Sequence, residues 1–512
     1  MSSPLKKSFA AEQLSKRKKP PLLIIVFAII ALVAIGYALY IQFGDKGIPT
    51  EDTPITSLAV LPLDNISDDS VHESFAEGMH EALITNLSKI SALRVISRTS
   101  AMRFINSEKS LPEIAAELNV DALIEGSVYR AENTVRITVQ LIKAFPEQHL
   151  WANDYVRDLK DVIVLQQEVA REIADEIEIT VTSEEKEQLS STRTVDPDAY
   201  DLYLMGLHVG INKAVDYFQK AIEKDSSFAA PYAEIAYYWA TRLVRNEEGW
   251  AKQVNIIEAR DALKRAFELD DTIPGAYFAQ GYINLTYEWD WHAAEENFKK
   301  AIDLDPSYMR TYTYIDDLLT ILRKEEEALE ILRKGEEIDP LSIKILTSTM
   351  NTLTYLRNYE EAEQVYKKMV EIDPTNQAIY SAGGIMYAVQ GRYAEALKAF
   401  TKSSELAGYT GPDYRFGYVY GLMGKREEAE EIQEEWLKEN PPPNPGQYWL
   451  GIGLKDYNNA YIDDVFLGFE SLYNERDYNI FTFILWQIRY ANEVTSDPRW
   501  NELMRKLGLP ES

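Results

Sequence analysis

The first long apolar stretch of the chain covers residues 21–43, PLLIIVFAIIALVAIGYALYIQF, and contains no charged side chain. About 20 apolar residues cross the hydrocarbon core of a bilayer as a helix. The pattern therefore predicts one transmembrane helix, with Tyr37 and Tyr40 at the membrane interface. A cleaved signal peptide is the alternative, but the run is longer than the core of such a peptide and no small-x-small cleavage site follows it.

The charges on either side of this run predict its orientation. After the run come Asp45, Lys46, Glu51 and Asp52, with no excess of basic residues. Before it, six basic residues stand against one acid, Glu12; they are Lys6, Lys7, Lys16, Arg17, Lys18 and Lys19. By the positive-inside rule, residues 1–20 form a cytoplasmic basic tail and the bulk of the chain lies outside the cytoplasm. The expected location is the inner (cytoplasmic) membrane, single-pass, with a periplasmic or extracytoplasmic main body.

Residues 55–182 alternate between two hydrophobic periods, which indicates a small α/β domain. Short apolar runs predict strands, apolar residues at helical spacing predict helices, and two alternating runs joined by residues 131–133 predict a β-hairpin. The predicted strands are 57–63, 93–97, 121–130, 134–142 and about 149–155; the predicted helices are 73–90, 111–119 and 159–179.

The C-terminal half repeats with a period of 34 residues, which is the period of tetratricopeptide (TPR) repeats. The repeated positions are Pro306, Pro340 and Pro374; Ala294, Ala328, Ala362 and Ala396; and Phe298, Leu332, Tyr366 and Phe400. A small residue lets two helices approach, a large one fills the next gap, and Pro follows a helix end. The pattern predicts an all-α TPR superhelix over residues 197–510, with seven to eight repeats and a terminal cap. The repeat from 229 to about 271 is longer than the others, and its extra residues near 245–255 predict a loop or lengthened helices.

The α/β region also resembles a known family. The segments SLAVLPLDNIS, ESFAEGMHEALITNLSKISALRVISRTSAM, IAAELNVDALIEGSVYR and HLWANDYVRDLKDVIVLQQEVAREIA look like the TolB-like amino-terminal domain, which is similar to the flagellar assembly protein FlgO. Leu63 stands where that family usually has Phe, and residues 144–148 depart from its usual turn. The resemblance implies a bacterial membrane protein whose relatives couple this module and TPR repeats to a cytoplasmic cyclase or a winged-helix domain. With about 20 residues before the apolar run, neither output domain is expected here.

Composition narrows the chemistry. The formal net charge is −29, which argues against nucleic acid as a partner, because phosphate binding needs clustered Lys and Arg. The chain has no Cys, which excludes disulfides and thiolate metal sites. None of its five His forms an i,i+3 or i,i+4 pair, and no phosphate-binding loop or nucleophile elbow is present. The sequence therefore predicts no catalytic residue, no cofactor and no metal site.

The remaining functional surface is the groove formed by the first helices of the repeats. Alignment on the Ala and Pro positions predicts five groove-facing residues, which are Arg310, Asp317, Lys344, Asn351 and Tyr355. Their mixture of charge, amide and aromatic groups suits peptide binding, and a plain solvated helix surface is the alternative. The predicted function is a membrane-anchored extracytoplasmic scaffold or sensor, of a kind associated with signalling, that binds protein partners through the TPR groove and the TolB-like domain. An accessory subunit of an envelope or surface-organelle assembly, and an enzyme with an unrecognised site, are the alternatives. Homo-oligomerisation stays open, since Ala34 and Ala38 have the small-xxx-small spacing of associating helices.

Overall fold

A computed structural model describes residues 54–67, 73–131, 133–189, 194–242, 250–411, 413–439, 459–474, 480–481, 484–485 and 492–511. The predicted basic tail and the transmembrane helix at 21–43 lie outside these residues. Within the described part, no helix combines the length and the apolar composition that crossing a bilayer requires. The chain divides into two compact units, residues 1–54 and 55–512. The second unit contains both the α/β module (residues 55–189) and the helical array (residues 194–511).

The α/β module is built on one mixed sheet. Its strand order is β3-β1-β4-β5-β6, and β2 pairs with β4 beside β1. The elements in chain order are β1 (Ser57–Val60), β2 (Asp64–Asn65), α1 (Glu73–Ser88), β3 (Arg94–Val95), α2 (Arg98–Ala101), α3 (Leu111–Leu118), β4 (Ala122–Ala131), β5 (Thr134–Ala144), β6 (Glu147–Asp158), α4 (Val162–Glu176) and α5 (Ser183–Gln188). Strands β3, β1 and β4 run parallel, and β4, β5 and β6 run antiparallel.

The two faces of this sheet are covered by different elements. Helices α1 and α4 bury one face, where the alternating residues of β5 are fully enclosed. Helix α3 covers part of the other face, together with Ile96 and Phe104. The period-two alternation at Val135, Ile137 and Val139 therefore predicted the buried face correctly.

Several element boundaries differ from the predicted ones, and three of the differences are instructive. The first strand ends at Val60 rather than at residue 63, because Pro62 has no N–H to donate to a strand ladder. The last strand is longer than predicted and reaches Asp158. Helix α4 ends at Glu176 instead of 179, since Glu178 adopts a φ of 54°, which is left-handed backbone.

Seven antiparallel helix pairs follow one another within the described residues 197–439. They are α6 (Pro197–His208) with α7 (Ile211–Lys224), α8 (Ala230–Arg242) with α9 (Trp250–Leu269), α10 (Pro274–Ile283) with α11 (Trp291–Leu304), α12 (Arg310–Ile321) with α13 (Glu325–Ile338), α14 (Ile343–Tyr355) with α15 (Tyr359–Ile372), α16 (Gln377–Val389) with α17 (Tyr393–Ala407), and α18 (Tyr414–Leu422) with α19 (Arg426–Glu439). Helix α9, with 20 residues, is the longest second helix of these pairs and accounts for part of the long repeat.

The repeated positions have the packing roles that their spacing predicted. All four repeated Ala are fully buried, and so are Phe298, Leu332 and Phe400. Second helices end two residues before each repeated Pro, at Leu304, Ile338 and Ile372. The small–large contact between the two helices of a pair is therefore the element that sets their separation.

The described C-terminal helices fold back onto the array. They are α20 (Asn459–Asn474), α21 (Asn492–Thr495) and α22 (Pro498–Leu507). Trp500 is fully buried and packs against Phe469, with ring centroids 6.0 Å apart. The Trp291 Nε1–H donates to the Leu507 carbonyl at 2.7 Å, so the last helix is tied to the third helix pair.

A glycine substitution tests the close approach of first and second helices. A Cβ at Gly384 would lie 2.4 Å from Phe400 Cε1, whereas one at Gly275 meets nothing closer than the Tyr308 hydroxyl at 3.4 Å. We expect Gly384→Ala to be less stable to urea than Gly275→Ala by about 1–3 kcal/mol, the usual cost of overpacking. Gly384 lies in the interior of α16 and Gly275 in the first turn of α10, so the gain in helix propensity favours Gly384→Ala and cannot explain a lower stability of that variant. Equal unfolding free energies, followed by circular dichroism, would contradict this role.

Candidate functional site

The five residues predicted to face the groove lie on two neighbouring first helices. Arg310 and Asp317 are on α12, and Lys344, Asn351 and Tyr355 are on α14. None of the five is buried. Lys344 lies within electrostatic range of both Arg310 and Asp317, which places these three together. Tyr355 is 11 residues further along α14, about 16 Å away at the rise of an α-helix.

Arg310 is engaged within the array itself. Its Nη1–H donates to the Tyr308 hydroxyl at 3.2 Å, and Nη1 lies 3.7 Å from Glu234 Oε2. Its guanidinium carbon lies 4.4 Å from the centroid of the Tyr237 ring, within the range of a cation–π contact. Arg310 therefore links the first helices α8 and α12, and its charge is partly answered by Glu234.

Lys344 and Tyr355 differ in whether a neighbouring side chain fixes their orientation by a hydrogen bond. The Lys344 side chain is exposed, and its Nζ lies 5.5 Å from the centroid of the Tyr314 ring on α12. The Tyr355 hydroxyl accepts a hydrogen bond from Arg323 Nη1 at 2.6 Å, at the opposite end of α12. Lys344 is thus available to a partner, whereas Tyr355 is oriented by a neighbouring repeat.

Sequence reasoning missed an aromatic cluster on the first helices of three repeats. Ring centroids are 5.4 Å apart for Tyr237 and Phe278, 5.5 Å for Phe278 and Tyr314, and 5.3 Å for Tyr282 and Tyr314. The cluster joins α8, α10 and α12 beside Arg310. The available signal was the number of Tyr, 32 in the chain, several of them in first helices.

The α/β module docks on the turns that join one repeat to the next. The Ser100 hydroxyl donates to Asp339 Oδ1 at 2.5 Å and accepts from the Leu341 N–H at 3.0 Å. Ser100 and Asp339 are both fully enclosed. Burial raises the pKa of the Asp339 carboxyl, and the hydrogen bond from Ser100 opposes that shift. Leu341 itself belongs to the hydrophobic core on the α3 side of the sheet.

Further hydrogen bonds extend this interface along the array. The Ser97 N–H donates to the Ile338 carbonyl at 2.8 Å. Arg94 Nη1 donates to the Glu337 carbonyl at 2.9 Å. In the next repeat, Arg103 Nη2 donates to the Ile372 carbonyl at 2.8 Å. The module therefore donates hydrogen bonds to backbone carbonyls at the ends of two second helices. Carbonyls at a helix end have no partner within their own helix.

A second contact holds the module to the start of the array. Arg130 of β4 forms a bidentate ion pair with Asp201 of α6, and its guanidinium carbon lies 5.2 Å from the Phe75 ring centroid. The Glu77 carboxylate accepts from Arg98 Nη2 at 2.8 Å and lies 3.0 Å from His208 Nδ1 of α6. The start of the array and its fourth and fifth helix pairs are thus both fixed to one module.

The histidines and acids do not assemble a metal site in the described part of the chain. No group of three or more His, Asp or Glu there could hold a metal ion. His80 is a core residue whose Nε2 lies 2.8 Å from the Val60 carbonyl oxygen. Burial lowers the pKa of His80 to about 4, so this imidazole is neutral at physiological pH.

Comparisons with known proteins agree with a two-part chain. Residues 54–172 match the model described as HilA/YgeH-like transcriptional regulator, second domain, and residues 351–376 match the tetratricopeptide repeat model. A protein of Rhizobium meliloti (strain 1021) called putative adenylate cyclase 3 is 33 % identical over 242 residues. That match covers 46 % of this chain and 40 % of the relative, so the chain spans less than half the length of that protein. The TolB-like resemblance stays a prediction.

Similar solved structures are helical repeat proteins. YrrB, described as a TPR protein with an unusual peptide-binding site, is 22 % identical, with 38 % of this chain and 94 % of that chain covered and a TM-score of 0.28. A TPR protein of Parabacteroides merdae ATCC 43184 is 14 % identical, with 51 % and 100 % covered and a TM-score of 0.36. The matched repeat and the helix pairs define the helical part as a TPR-type array, a class that binds protein or peptide partners.

Removal of one hydroxyl tests the docking of the module. We expect Ser100→Ala to lower the free energy of unfolding by about 1–3 kcal/mol, because it leaves the buried Asp339 carboxylate and the Leu341 N–H without their shared partner. Amide hydrogen exchange at residues 337–342 should also become faster. Thr375→Ala is the matched control, since Thr375 bonds Asp373 at an equivalent but more exposed turn. Unchanged exchange at 337–342 would show that the contact does not hold the module.

Proposed function

We propose that this protein is a membrane-anchored, extracytoplasmic scaffold or sensor that binds a protein partner on the first-helix surface of α12 and α14. The observation that supports it best is the position of Lys344. The residue is exposed, with its ammonium beside Tyr314 and within electrostatic range of Asp317, in a repeat array of a class that binds peptides.

The docked α/β module supports this proposal by fixing the binding surface. Asp339 and Leu341 are held by Ser100, and they immediately precede α14, which carries Lys344 and Asn351. A surface whose helix is already fixed loses less conformational entropy when a partner binds. The module therefore acts as a support for the groove, and a partner that touches both is positioned by two modules at once.

Charge reversal on this surface tests partner binding. A photo-crosslinking amino acid at Asn351 of the full-length chain should capture a partner that the same group at Lys334, on the second helix α13, does not. With that partner purified, Lys344→Glu should weaken binding by about tenfold or more, as expected for a charged interface contact. Lys334→Glu makes the same charge change on an exposed position away from the first helices. Equal effects of the two reversals would refute a groove-specific site.

The proposed anchoring rests on the uncharged run at 21–43 and the basic residues before it. Because the chain has no Cys, a single introduced Cys is a unique label. In intact bacterial cells whose outer layer is permeabilised, a membrane-impermeant maleimide should label Thr401→Cys, which is exposed on α17. The same reagent should label Ser3→Cys after lysis and not before. Labelling of both variants before lysis, or of neither, would contradict the proposed topology.

A further inference from the structure

A cavity of about 900 Å³ lies between the α/β module and the helical array. Its walls are one face of α1, the start of α4, helix α6, and the inter-repeat turns at residues 227–230, 270–275 and 305–310. Binding sites for small molecules commonly have this size and lie between domains. Both modules contribute side chains, so a molecule bound here can contact the sheet module, helix α6 and three inter-repeat turns of the array.

Helix α1 presents Glu81 and Thr85 to the cavity, because residues four apart share a helix face, and Lys89 directly after the helix also lines it. The Lys89 ammonium donates to Asn86 Oδ1 at 3.2 Å and lies in the field of Asp305 and Asp270. The Lys89 charge is therefore stabilised by a hydrogen bond and by two nearby carboxylates of the protein. Glu81, in contrast, makes no hydrogen bond and no ion pair with any residue that the structure describes.

The surroundings of Glu81 are acidic. The cavity wall carries five carboxyl groups, on Glu81, Glu234, Asp270, Asp271 and Asp305, and two cationic groups, on Lys89 and Arg310. Arg310 is already engaged by Glu234 and Tyr308. Glu81 is accessible from the cavity, yet protein encloses it closely enough that burial raises the pKa of its carboxyl. The charges of Arg98 and Arg310 lower this pKa, and those of Glu234 and Asp305 raise it. Carboxyl groups outnumber cationic groups in the cavity wall, so its excess charge is negative.

A second, independent group points to a donor. Gln167 of α4 lines the cavity and is 6 % exposed, and its Oε1 has no hydrogen-bond partner among the described residues. A buried amide oxygen without a donor is costly, so such atoms are rare in folded proteins. The rest of the wall near α6 is apolar or aromatic, as at Tyr203, Leu204 and Leu207. The lining therefore combines a carboxylate, an unpaired acceptor and an apolar surface.

We propose that this cavity binds a small organic cation, in which a primary ammonium or guanidinium group pairs with Glu81 and an apolar or aromatic body contacts α6. The ammonium supplies a directly paired cation, which Glu81 does not have among the described residues, and its N–H groups supply donors for the acceptors in the wall. A molecule that contacts both modules favours the docked arrangement. The site does not depend on the proposed groove, because partner binding to Lys344 can fail while this ligand binds, and the reverse.

Three matched probes test the chemistry. Tyramine carries an ammonium group, tyrosol replaces it with a neutral hydroxyl, and 4-hydroxyphenylacetate carries a carboxylate on a ring of the same size. We expect isothermal titration of the full-length chain to show tyramine binding at least about tenfold more tightly than tyrosol, with no binding of the anion. Equal binding of all three, or binding of none, would overturn the proposal and leave the cavity as a solvent-filled gap between two modules.

Variants at Glu81 locate the binding. Glu81→Gln should remove the preference for tyramine over tyrosol, and Glu81→Lys should shift the preference to 4-hydroxyphenylacetate. Glu360→Gln, an exposed acid on α15, should leave the tyramine affinity unchanged. Both Glu81 variants are expected to fold, because the native carboxylate has no partner to lose, and circular dichroism checks this. A tyramine preference that survives in both Glu81 variants would place the cation elsewhere and refute the assignment.

Discussion

Leu341 is a residue of the helical array, yet it is buried in the hydrophobic core of the α/β module. Helix α3 alone does not cover the face of the sheet opposite α1 and α4. The turn after α13 completes that cover, and the hydrogen bonds at Ser100 satisfy the polar groups that the turn brings with it. An apolar contact supplies the stabilisation here, and the buried carboxylate is tolerated because its hydroxyl partner is present. The relation between module and array, and with it the position of α14, depends on this contact.

Local patterns predicted the longer elements of both modules, because periodicity reports which residues are neighbours along a helix or strand. Val135, Ile137 and Val139 alternate on β5 and are buried, and the 34-residue spacing placed Ala362 and Phe400 at helix contacts. The same patterns do not predict where the α/β module contacts the helical array. Asp339 and Asp373 occupy equivalent positions in the repeat, and nothing in either motif tells that one meets Ser100 from 239 residues away.

The candidate site shows the same division. Alignment of the repeats placed Arg310, Asp317 and Lys344 on first helices, and the structure brings these three near one another. The alignment of the repeats did not predict that Arg310 contacts Glu234 and the Tyr237 ring, because that contact joins non-adjacent repeats. The cavity was also beyond the sequence, since its walls come from α1, α6 and inter-repeat turns that only tertiary packing assembles.

Repeat arrays fold through contacts between neighbours, so their stability is close to a sum over adjacent units. The Ser100 contacts depart from that behaviour, since they join residues 239 and 241 positions apart. Residue 341 follows the end of β5 by nearly 200 residues, which takes roughly 10–40 s to synthesise at typical elongation rates. During that interval the nascent sheet has one apolar face without its final cover. The order of synthesis therefore leaves this face of the α/β module without Leu341 until the turn after the fourth helix pair has been made, and only then can the module complete its native core.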